Sequence, residues 1–224
     1  MRINNLFENK ELHNKNIFLL EDDSDLGKAL KVLLEAESYR VRWFNYANLF
    51  LDQMGDLVNN VTEHQIPTCM LLDINLGGDI SGFDVFKNIV EKQFHKIIPI
   101  IFITGNSDVS NAVGVLKQGA FDFLEKPVET EVLLNTTSLA LQKSKNELDQ
   151  YHIHHRYVNG LKLLTKKEKE ILDKILEGMS NREIADILNN SVRTIEHHRS
   201  KVFEKLSVSN AVQLAKLNEI SKIY

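Results

Sequence analysis

The sequence predicts a five-stranded, parallel, doubly wound α/β domain joined by a helical linker to an all-α, four-helix helix-turn-helix domain. Three observations carry this. Five short strand-like runs alternate with helical patterns through the first 130 residues. No proline or glycine then occurs between Pro127 and Gly160, a stretch of 32 residues. Beyond it, apolar residues recur at helical spacing in four short segments punctuated by Ser, Asn and Gly.

The strand-like runs are residues 17–20, 40–44, 69–72, 99–103 and 121–124. Most are nearly all apolar, as strands buried on both faces of a parallel sheet should be. Helical patterns at 25–37, 47–60, 83–92 and 109–118 fall between them. Strand and helix in strict alternation predict a doubly wound sheet whose reactive groups gather beyond the carboxyl ends of the strands.

Polar residues follow those strands. Glu21 and Asp22 follow the first, Asp73 the third, Thr104 the fourth and Lys126 the fifth. Three carboxylates close together raise one another's pKa unless a cation joins them. Mg²⁺ fits, because it takes oxygen ligands and keeps waters that a phosphoryl oxygen can replace. Asp23 and Asp25 are better suited to the turn and the first helical turn. A carboxylate can attack phosphorus to form an acyl phosphate, and Asp73 is the candidate. Mg²⁺, the Lys126 ammonium and the Thr104 hydroxyl would stabilise the equatorial oxygens. Lys126 precedes Pro127, which disfavours helix at the lysine and, often through a cis bond, turns the chain so as to aim the lysine back at the pocket.

In the linker, Leu134, Leu141 and Leu148 fall seven apart, with Thr137 and Ser144 in the same seam. Two readings fit: a continuous helix dimerising as a weak coiled coil, or a finishing helix of the α/β domain followed by frayed chain. His152, His154 and His155 do not share one helical face and read as a solvated, pH-sensitive segment.

After Leu161, Thr165 with Glu168 fits a capping box, and Ile171, Leu172, Ile175 and Leu176 give the first helix an apolar face ending at Gly178. Ser180 is placed to cap a second helix and Ser191 a third, with a tight turn at Asn189 and Asn190. The third helix turns Ile195, Val202 and Leu206 inward. That leaves Arg193, Thr194, Glu196, His197, Arg199, Ser200, Lys201 and Lys205 outside, a basic face after a tight turn, as a DNA-reading helix needs. Glu196 can accept from a cytosine amino group and Arg199 or His197 can donate to guanine. Ser180, Arg193, Thr194 and Lys201 suit phosphates.

Charge divides with the domains. Residues 1–150 hold 14 Lys and Arg against 22 Asp and Glu, a net of −8, whereas 151–224 hold 13 against 9, a net of +4, with five of the eight histidines. The acidic part suits a cation and the basic part a polyanion. The single cysteine, Cys69, lies in an apolar run and reads as core in a reducing compartment. With no apolar run long enough to span a bilayer and no signal-peptide core, a cytoplasmic location with no membrane partner is expected.

The segments IFLLEDDSDLGKAL, MLLDINLGGDISGFDVF and PIIFITGNSDVSNAVGVLKQGAFDFLEKPV resemble the receiver domain of two-component response regulators, the last being especially similar to the FixJ-like group. The stretch from Leu164 through GMSNREIA, SVRTIEHHRSKVFEKL and SVSN resembles the LuxR-type helix-turn-helix of NarL/FixJ regulators. The resemblance implies that Asp73 accepts a phosphoryl group from a sensor histidine kinase. Glu21, Asp22 and Asp73 would hold Mg²⁺ with the Asn75 main-chain carbonyl, Thr104 and Lys126 would be the switch pair, and Phe123 the rotating aromatic. It implies a homodimer on activation, helix 192–205 in the major groove of promoter half-sites, and RNA polymerase as a further partner. Catalysis would be limited to the domain's own Mg²⁺-dependent phosphotransfer and dephosphorylation. The expected divisions are a flexible arm at 1–14, a receiver at 15–132, a helical linker at 133–160 and the DNA-binding domain at 161–224.

One feature departs from that family. Receivers usually carry proline four residues after the phosphoacceptor and glycine eight after it. Here Gly77 takes the first position and Gly82 comes nine after Asp73, so the loop is one residue longer. Loss of phosphorylation through this loop would leave a phosphate-independent DNA binder whose receiver is a protein-interaction module. A hydrolase is the third reading, but it needs a general acid two residues after the nucleophile, where Asn75 stands.

Overall fold

In the computed structural model, residues 15–105, 114 and 116–221 are described. The expected arm at 1–14 and most of the expected helix at 109–118 lie outside them. Contacts divide the chain into two compact units, residues 1–149 and 150–224.

The first unit is a parallel sheet of β1 (Asn16–Leu20), β2 (Arg40–Phe44), β3 (Thr68–Asp73), β4 (Ile100–Thr104) and β5 (Asp122–Glu125). Its spatial order is β2-β1-β3-β4-β5, which reverses direction between β1 and β3. That reversal opens a crevice beyond the carboxyl ends of those strands, where doubly wound folds place their sites. Side chains alternate across the sheet with period two. Phe18, Leu20, Met70, Leu72, Ile100 and Phe102 pack with α2 (Ala47–Glu63) and α3 (Gly82–Glu91). Ile17, Leu19, Cys69, Leu71, Ile101 and Ile103 pack with α1 (Ser24–Ala36) and the start of α4 (Thr130–Lys162). The two edge strands are the exceptions to the apolar rule: β2 leaves Arg40 and Arg42 exposed and β5 leaves Glu125 exposed. Cys69 is fully buried, and desolvation drives its thiol pKa far up, as befits a core residue.

α4 is the expected helical linker, one helix throughout, and the leucines of its heptad pack inward. Leu141 and Leu148 are 1% exposed and packed in the cores of their own unit. Ser144, one of two polar members of the seam, accepts from the Thr68 N–H at 2.9 Å and donates to the Ile97 carbonyl at 2.7 Å. Those two main-chain groups lie at the start of β3 and just before β4, so the helix ties together the amino ends of two central strands. The first unit therefore extends through Asp149, beyond the expected end at 132, and the second begins at Gln150, before the expected 161.

The second unit packs Tyr157 and Leu164 with α5 (Lys166–Leu176), α6 (Asn181–Leu188), α7 (Val192–Leu206) and α8 (Ala211–Ser221). A Cβ on Gly160 would stand 2.3 Å from the Lys205 carbonyl oxygen, so only glycine allows that approach. Thr165 and Ser180 form full capping boxes with Glu168 and Glu183, and Ser191 caps α7. Asn189 closes α6 at φ 50°, the left-handed turn that swings α7 away.

Candidate acidic site and nucleic-acid interface

The acidic site forms where β1, β3, β4 and β5 end. β1 delivers Glu21 and Asp22; β3 delivers Asp73, paired in register with Ile103, the residue before Thr104. The Lys126 N–H donates to the Thr104 carbonyl at 2.7 Å, tying the start of the β5–α4 connection to the end of β4, and the Lys126–Pro127 peptide is cis. Asp23 caps α1 by accepting from the Asp25 and Leu26 amides, the turn role expected of it.

Glu21 is 1% exposed and Asp73 4%, so two carboxylates are removed from water at the sheet's end. The Lys126 ammonium reaches both, at 2.6 Å from Asp73 Oδ2 and 2.9 Å from Glu21 Oε2. Desolvation is the largest influence on Glu21 and pushes its carboxyl up to about 7; the Lys126 hydrogen bond resists and the Asp73 charge adds to the rise. Burial pulls the Lys126 ammonium down, but its hydrogen bonds to Asp73 and Glu21 prevail and its pKa is raised. Carboxylate oxygens from Glu21, Asp22 and Asp73 lie within 4.8 Å of one another, the single His, Cys, Asp and Glu group of metal-holding geometry among the described residues. Hard oxygen donors at this separation fit Mg²⁺.

Thr104 is fully buried at the end of β4, with its hydroxyl 3.3 Å from the Gly105 carbonyl. Phe123, on β5, is half-buried against the core. The Asn75 N–H donates to Asp73 Oδ1 at 3.2 Å. Gly82 fits against the Asp73 backbone, where a Cβ would meet the carbonyl oxygen at 2.1 Å. The loop is longer, yet its glycine still permits the contact.

Two contributors to this site were not legible beforehand. The Trp43 indole N–H donates to the Glu21 carbonyl at 2.8 Å, seated over Gly27, where a Cβ would lie 2.5 Å from the ring. The Gly77 N–H donates to Asp22 Oδ2 at 2.8 Å. Both link side chains and backbone far apart in sequence, and no local spacing announces them.

On α7, Ile195, Val202 and Leu206 are buried, while Arg193, Glu196, His197, Ser200 and Lys201 are exposed. Arg193, Glu196, His197 and Ser200 stand at i, i+3, i+4 and i+7, one outward stripe. Ser180 is exposed at the start of α6, and Thr194 is half-buried with its hydroxyl 2.8 Å from that of Ser191. Arg199 is held within the unit: it donates to Asn181 Oδ1 at 3.1 Å and lies over the Phe203 ring, bracing α6 against α7. Lys205 leaves the expected outward set. Its ammonium is bound to Glu168 at 2.7 Å and to the Leu163 carbonyl at 3.2 Å. Glu168 is 3% exposed, and the Lys205 hydrogen bond, followed by the Thr165 N–H, holds its carboxyl down at about 2. Arg182, exposed in the first turn of α6 beside Ser180, is a cation the sequence reading passed over; its place after a cap was the available signal.

Among the described residues, no helix is long and apolar enough to cross a membrane. The family model for the response regulator receiver domain matches residues 17–138, and that for bacterial regulatory proteins of the luxR family matches 162–218. The transcriptional regulatory protein TdiR of Thauera aromatica is 31% identical over 198 residues, covering 88% of this chain and 82% of its own. The transcriptional regulatory protein FixJ of Bradyrhizobium diazoefficiens is 28% identical over 202 residues, covering 90% and 93%. The solved structure of the response regulator StyR superposes with a TM-score of 0.72 at 28% identity, covering 92% of this chain and 99% of that one.

Proposed function

Because this chain belongs to the NarL/FixJ-type response regulators, with a receiver domain ahead of a luxR-type helix-turn-helix, we propose that Asp73 is its phosphoacceptor and α7 its DNA-reading helix. The chain is a phosphorylation-regulated two-component transcription factor, not a free-standing enzyme. The observation that most supports Asp73 is its buried carboxylate, 2.6 Å from a lysine ammonium and within reach of two further carboxylates.

Glu21, Asp22 and Asp73, with the Asn75 carbonyl, would hold Mg²⁺, which when bound supplies positive charge to the phosphoryl oxygens. An Asp73 carboxylate oxygen attacks the phosphorus carried by the histidine of a sensor kinase. The new O–P bond forms as the N–P bond breaks, and the ring nitrogen keeps the electron pair. Lys126, already against Asp73 Oδ2, then faces the added negative charge and favours the acyl phosphate. Thr104 supplies a hydroxyl from the end of β4 and, with Phe123 on the neighbouring strand, carries the change into the fold.

The output is promoter binding by a homodimer, with two α7 helices on successive half-sites and RNA polymerase as a further partner. On α4, the exposed Val132 and Leu139 offer apolar surface for such pairing. Light scattering with Mg²⁺ and acetyl phosphate tests this: the wild type should pass from monomer to dimer and Asp73→Ala should not. Identical masses with and without the phosphodonor would refute the phosphate-driven dimer.

A further inference from the structure

Asp22 is the exposed member of the acidic cluster, so burial does not fix its carboxylate. What reaches it is the Gly77 N–H, donating to Oδ2 at 2.8 Å across 55 residues of sequence. Gly77 stands four residues after Asp73, where receivers usually carry proline, and proline has no N–H to give. A Cβ at this position would stand 2.9 Å from the same oxygen. Glycine therefore provides both the donor and the room, and most other residues would supply the donor but crowd the acceptor.

We infer that Gly77 is a positioning residue for cation binding, its amide holding the Asp22 carboxylate toward Glu21 and Asp73. The inference rests on the reading of the acidic cluster as a Mg²⁺ site. A carboxylate has about four lone-pair directions, so one bond to Gly77 leaves Asp22 able to ligate. A donor behind a ligand fixes its orientation and removes part of the ordering cost of binding. The longer loop between Asp73 and Gly82 acquires a role on this view: it lets an amide turn toward the β1–α1 connection, where a proline would order the loop through its ring alone.

The test uses the full chain, Mg²⁺ alone and no phosphodonor. Calorimetric titration of the wild type, Gly77→Pro and Gly77→Ala is paired with amide NMR of the wild type. The wild type is expected to bind Mg²⁺, with the Gly77 amide resonance moving at the same midpoint. Gly77→Pro, lacking the donor, should bind about tenfold more weakly, the low end of losses seen for outer-shell partners. Gly77→Ala, with its methyl against Oδ2, should also weaken binding. Equal affinity in wild type and Gly77→Pro would overturn the inference while leaving the metal site standing. A wild type that binds no Mg²⁺ would instead remove the metal reading itself, and the inference with it. Should the proline variant not fold, a Gly77 amide that stays still throughout the wild-type titration would overturn the inference.

Discussion

Glu21 carries a pH dependence of definite sign. Its carboxyl is raised from an ordinary 4.5 to about 7, chiefly by burial, with Asp73 adding to the rise and Lys126 and the Asp23 N–H opposing it. The folded state therefore holds this proton more tightly than the unfolded state. Stability conferred by the neutral form is full below about 4.5 and lost as pH rises through about 7. Without Mg²⁺, the receiver should lose on the order of 3 kcal/mol across that window. Glu21→Gln should flatten the slope in denaturant melts taken at several pH values; an unchanged slope would show that another group titrates. Since the proton must leave before a cation binds, Mg²⁺ affinity should fall by about tenfold per pH unit below 7. Asp73 and Lys126 were legible as single residues because each follows a strand. The Trp43 and Gly77 hydrogen bonds were not, because they depend on how separate loops meet.

Elements show how far periodicity reaches. Short, nearly all-apolar runs between helical patterns identified the strands, and the caps at Thr165, Ser180 and Ser191 located the helices of the second unit. The heptad in α4 left two readings open because a seven-residue repeat looks the same whether it meets a second chain or the sheet of its own unit. Ser144 marks the difference, since its two hydrogen bonds go to specific main-chain groups. Ser144→Ala should leave the buried Thr68 N–H unmatched and cost about 1–2 kcal/mol in chemical denaturation of the receiver transition. Lys205 looked like one more cation on an outward helix face, yet its charge is committed to Glu168. Lys205→Met should strand that carboxylate and destabilise the second unit by about 2–3 kcal/mol. The pair's contribution is present above pH 4.5 and fades as pH falls toward about 2. A melting transition unmoved by Lys205→Met would show the pair to be energetically idle.

At the scale of the molecule, an acidic receiver and a basic DNA-binding unit were visible as a net of −8 before residue 150 and +4 after it. The contacts that divide the chain at 149 and 150 were not, because a single helix runs through the boundary. DNA binding should separate into two kinds of effect. Lys201→Ala should weaken binding to any duplex and reduce the salt slope by about one. Glu196→Ala should instead relax sequence preference, at a cost of about 1–3 kcal/mol on the preferred site. Equal losses on all sequences from both variants would contradict the division between phosphate and base contacts. The central claim, that Asp73 takes a phosphoryl group, is tested most directly by the intact mass of the chain after incubation with Mg²⁺ and acetyl phosphate, beside Asp73→Ala. The expected result is one hydroxylamine-labile phosphoryl increment in the wild type and none in the variant. An increment that persists in Asp73→Ala, or a wild type that takes up no phosphoryl group, would contradict it.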